Sequence, residues 1–86
     1  MSGRYGNEND PLAAISTSPE VMASLHRRLT AIEQGADTLQ VHLASERAQG
    51  FTEALEVLKV LKPGEIESLY LIFENTAQAR VQELLL

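Results

Sequence analysis

Cysteine is absent from this chain, so neither a disulfide nor a thiolate metal site can stiffen it. Tryptophan is absent too, and aromatics make up only 5% of the residues. The core must then be built from Leu, Ile, Val and Ala, which suits helix packing. Basic residues are scarce: seven Lys and Arg stand against twelve Asp and Glu, for a net charge of −5. That balance opposes binding to nucleic acid or to an anionic membrane, where cations must neutralise phosphates. Only Arg27 and Arg28 are adjacent; the other basic residues are scattered.

Long apolar runs are missing as well. The longest, Leu69 to Phe73, has five residues, against the ~18–20 that span a bilayer. Met1 to Asp10 is polar and lacks the apolar stretch of a secretory signal. A cytoplasmic protein is expected, in keeping with the lack of cysteine. With 86 residues the chain holds one domain. A domain this small buries only about 60% of the surface its unfolded chain exposes. Without disulfides or thiolate metal sites, self-association is the remaining route to extra stability.

The order of signals predicts an all-α protein, a helical hairpin or three-helix bundle. Residues 1–17 read as a flexible N-terminal arm rich in turn formers, and residues 18–86 as a single helical domain. Within the arm, Leu12 to Ile15 is apolar and suits either a piece that docks on the body or a partner-binding peptide. Ser18-Pro19-Glu20 is a helix start: a cap, a proline at the first helical position and an acid at the positive end of the dipole. Met22, Leu25, Leu29, Ile32, Ala36, Leu39 and Leu43 then follow at alternating spacings of 3 and 4, a heptad seam. This predicts one long helix A over about 19–48, unbroken through Gly35 because the seam keeps its phase across it. A boundary is expected at Gln49-Gly50, with Thr52 capping helix B over about 52–62. Two valines make a strand conceivable there, but the Glu, Ala and Lys around them favour helix. Pro63-Gly64 separates helix B from helix C, expected over about 64–85 with Glu65 and Glu67 in its first turn.

Leu69, Tyr70, Leu71, Ile72 and Phe73 are consecutive, and at about 100° per residue they ring the whole circumference of helix C. A surface helix of a small monomer carries a stripe rather than a ring. These five residues, with Leu25, Leu29, Ile32, Leu39 and Leu43 of the seam, are therefore the expected interface. Two copies of helix A in parallel would set Arg28 against Glu33 of the partner. The seam can equally be used within the chain, against helices B and C. The preferred arrangement is that hairpin, dimerising through what it leaves uncovered into a four- to six-helix bundle.

No enzyme, cofactor or metal site is expected. His26 and His42 are sixteen residues apart, without the one-turn spacing of helical metal ligands. No serine sits in a nucleophile elbow and no glycine loop could cradle phosphate. Helix B, the turn and helix C have the outline of a helix–turn–helix, but Leu69 to Phe73 would face the groove where polar and basic side chains are needed. The expected function is that of a small helical interaction protein: a homodimeric regulator, chaperone or adaptor of another protein. The alternative is a transcription-linked regulator touching DNA or a DNA-binding protein, with Arg27, Arg28 and Arg47 as its contacts.

Overall fold

Three helices form the body of the protein in a computed structural model that describes residues 9–86: α1 (Pro19–Glu33), α2 (Thr38–Val57) and α3 (Pro63–Leu85). Among the described residues there is no strand. The three-helix bundle is thus the architecture, and residues 1–8 of the arm lie outside the described part. The start of α1 is as the sequence predicts. Ser18 is the N-cap, its hydroxyl accepting from the Val21 N–H at 3.2 Å, and Pro19 is the first helical residue.

The expected long helix A over 19–48 does not exist as one piece. It is cut after Glu33, and α2 then runs straight through the boundary expected at Gln49-Gly50. Two features make the cut. Asp37 caps α2, accepting from the Gln40 N–H at 2.8 Å, while the Gln40 side-chain oxygen accepts from the Ala36 N–H at 2.9 Å. Gly35 supplies the room: a Cβ there would stand 2.6 Å from Val41 Cγ2 and 3.0 Å from its backbone nitrogen. The chain therefore folds back tightly enough for α1 and α2 to pack antiparallel.

The heptad phase across this turn is a coincidence of spacing. In α1, Leu25, Leu29 and Ile32 are fully buried. In α2 the buried set is Val41, Ala44, Ser45, Ala48, Thr52 and Leu55, whereas Leu39 and Leu43, which would continue the seam, are 66% and 47% exposed. Thr52, expected as a cap, is buried in mid-helix with its hydroxyl donating to the Ala48 carbonyl at 2.8 Å. Gly50 meets nothing within 4 Å and serves no turn.

Helix B is likewise not a separate element. Its first half belongs to α2, which ends at Val57 instead of Lys62. The ending is a Schellman motif: the Val60 N–H donates to the Leu55 carbonyl and the Lys59 N–H to that of Glu56, both at 3.0 Å. Lys59 takes the left-handed position, φ 57°, usually filled by glycine. Pro63 then opens α3 at its first position, one residue ahead of the expected start.

Leu12 and Ile15 of the arm are buried and join Leu25, Leu29, Ile32, Val41, Leu55, Ile66, Leu69 and Phe73 in one core. Asp10 holds the arm's start, accepting from the Leu12 N–H at 3.0 Å and meeting His26 Nε2 of α1 at 2.8 Å. The Ser16 N–H at the other end donates to Glu65 of α3 at 3.0 Å. The arm thus crosses from α1 to α3 and closes the side that three helices leave open.

The two glycines should respond oppositely to alanine. Gly50→Ala is expected to stabilise the protein by roughly 0.5–1 kcal/mol through helix propensity. Gly35→Ala, forced into Val41, is expected to destabilise it by about 1–3 kcal/mol. Thermal or urea unfolding measures both; equal effects would refute the assigned break. Lys59→Gly should stabilise by about 1 kcal/mol, the relief of a left-handed lysine, read by the same unfolding curves.

Candidate functional site

The ten residues expected at an interface divide sharply. Leu25, Leu29, Ile32, Leu69 and Phe73 are fully buried in the chain's own core. Burying each contributes roughly 1.5–3 kcal/mol. Opening five of them to a second copy would cost about as much as the whole stability of a small domain, ~5–15 kcal/mol. They are core, and the parallel pairing of Arg28 with Glu33 across that seam is not available to the folded chain.

The apolar ring of α3 is also largely used up. Tyr70 and Ile72 are half-buried and packed against the core, and Leu71 alone of the five is exposed, at 57%. The ring is covered because α3 packs on both other helices and Leu12 and Ile15 share their core. Burial, and then the neighbouring carboxylates of Glu56 and Glu53, push the Tyr70 phenol's pKa above its ordinary value.

What stays exposed lies mostly at the two ends. At one, Leu39 and Leu43 of α2 stand with Leu85 and Leu86 at the end of α3. That these meet at the same end follows from the antiparallel packing. Val41 and His42 face Val81 and Gln82 across a groove of about 430 Å³, and Arg80 Nε donates to the Gly35 carbonyl at 3.0 Å. Since α1 ends beside Arg80, the last turn of α3 overhangs it. At the other end Val57, Leu58 and Val60 surround the left-handed Lys59.

A second surface was legible only as a scatter of arginines. Arg27, Arg28 and Arg47 line one groove of about 320 Å³ between α1 and α2, over Ala31 and Ala44. Arg28 is stacked on the Phe51 ring, 4.3 Å from its centroid. The sequence carried a partial signal for this: Arg47 and Phe51 are one turn apart, as are Arg27 and Ala31. The fold-back at Gly35, which sets the two helices side by side, was the missing information.

His26 is engaged with Asp10, and His42 lines the α2–α3 groove. Among the described residues no three His, Asp or Glu side chains are grouped to hold a metal ion, and no helix is long and apolar enough to cross a membrane.

Glu65 ties arm to bundle. The N–H groups of Ser16 and then Lys62 donate to its carboxylate and hold its pKa below the ordinary 4.5. A depressed folded pKa means stability that is present above the unfolded value and lost as pH falls through the folded one. Glu65→Gln should therefore lower the melting temperature at neutral pH, with the gap to wild type closing below pH 4.5. Melts recorded against pH check this; a gap constant down to strongly acidic pH would show that the carboxylate's charge is not what holds the arm.

Comparison with protein families, with curated proteins and with solved structures finds no significant match for this chain.

Proposed function

We propose that this chain is a helical interaction protein that works as a homodimer and acts as a regulator, chaperone or adaptor of another protein. The observation that supports this is the uncovered end of the bundle. Leu39, Leu43, Leu85 and Leu86 are each 47% exposed or more, on two adjoining helix ends that no part of the described chain covers. Singly exposed leucines are ordinary, but several large aliphatics at the adjoining ends of two helices support a docking role.

A second copy is the occupant best suited to it. Two such ends packed together would bury leucine against leucine and extend the bundle to six helices, adding buried apolar area to a small domain's own core. Half-buried Val81 and Leu84, already packed on the core, would join that contact. A cytoplasmic location and a role without catalysis belong to the same proposal. They are supported by the lack of cysteine and by a surface whose acids lie along exposed helix faces.

Sedimentation equilibrium at micromolar concentration tests it. The wild type is expected to run at about twice the 9.5 kDa of one chain. The double variant Leu39→Glu, Leu43→Glu is expected to run as a monomer with unchanged helical circular dichroism, since neither side chain is in the core. A wild type that remains monomeric would overturn the dimer, and so would a dimer untouched by the double variant.

A further inference from the structure

We propose that the groove between α1 and α2 binds the carboxylates of an acidic protein segment through Arg27, Arg28 and Arg47. The site is distinct from the leucine-rich end, and it stands whether or not the chain dimerises.

The first support is charge placement. Three of the chain's seven Lys and Arg side chains converge on one groove, although the chain as a whole carries −5. Eleven of the chain's twelve Asp and Glu lie among the described residues, yet none of these eleven forms an ion pair with Arg27, Arg28 or Arg47. Between described residues, the close contacts of a carboxylate with a basic side chain lie elsewhere, at Asp10 with His26 and at Arg80 with Glu83. A folded acidic chain that gathers three arginines in one groove presents a local field opposite to its net charge.

The second support is the state of Arg28. Its guanidinium is fixed by stacking on Phe51, not by an internal acceptor. Its Nε is shut off from solvent and has no hydrogen-bond partner. Buried polar atoms left unpaired are rare in folded proteins. The buried Nε is out of a partner's reach, but the stack on Phe51 holds the guanidinium in place, so an incoming carboxylate meets a cation that loses little freedom on binding. Arg27 and Arg47, one on each helix, flank it from either wall.

The third support is shape. Ala31 and Ala44 are the short residues of the groove. They leave room for a partner's backbone to come close enough for its Asp or Glu side chains to reach the arginines. The same shape and charge favour a short acidic segment over nucleic acid. Subtracting the three arginines from the net charge leaves −8 on the rest of the chain (−5 − 3). A duplex would run beyond the groove across that acidic surface, whereas a segment with two or three carboxylates ends within it.

Fluorescence anisotropy with a labelled helical peptide of Glu and Ala tests the proposal, beside a Lys and Ala peptide and a labelled DNA duplex at the same ionic strength. The Glu peptide is expected to bind, with affinity that falls as salt is raised. Arg28→Gln with Arg47→Gln should weaken it by roughly tenfold or more. Lys62→Gln, on the far side of the α2–α3 turn, should leave it unchanged. Circular dichroism of each variant establishes that the bundle is intact, and Arg27→Ala, on an exposed side chain, gives a further variant that does not touch the core. No binding of the Glu peptide would overturn the proposal. Binding indifferent to the arginine variants, or a duplex bound more tightly than the peptide and lost with the same arginines, would overturn it equally.

Discussion

The close approach of Gly35 to Val41 is the constraint on which the bundle depends. A side chain at residue 35 would collide with Val41, and only its absence lets the chain reverse within four residues. The reversal sets α1 against α2 and brings the Gly35 carbonyl to Arg80 of α3. One backbone position therefore touches all three helices. Were the helix continuous there, as the heptad spacing suggests, Leu25, Leu29 and Ile32 would have no α2 to pack on within the chain.

Coverage of the core follows from that turn. Two antiparallel helices leave a trough that α3 fills, and the arm seals the remaining side with Leu12 and Ile15. Polar ties stand at both ends of the arm's described part, Asp10 to His26 and Ser16 to Glu65. Such bonds contribute modestly in net terms, but they fix where the arm's apolar residues enter. In a chain with little core to spare, the arm is part of the fold and not an appendage to it.

The surface carries two different chemistries on different faces. The overhanging end of α3 and the start of α2 are aliphatic, while the α1–α2 groove is cationic in an otherwise acidic protein. Aliphatic surface drives association without direction, whereas arginines select the charge of what approaches. The proposed self-association would draw on the first chemistry and the proposed acidic partner on the second.

By itself the sequence determined the helical class, the start of α1 at Ser18-Pro19 and, to within one residue, the start of α3 and its run to Leu85. These follow from local signals: caps, proline geometry and propensity act within one or two turns. The Asp37–Gln40 cap is equally local, but a heptad spacing that carries on across it by chance hid it. Tertiary structure decided which apolar residues are inside. The same leucine periodicity buries Leu25 and Leu29 and leaves Leu39 and Leu43 in water, because burial depends on which neighbour is present. It also decided that the ring from Leu69 to Phe73 is closed except at Leu71, and that three arginines distant in sequence share a groove. Spacing along a chain fixes the face of a helix, but only the packing of other elements fixes what that face meets.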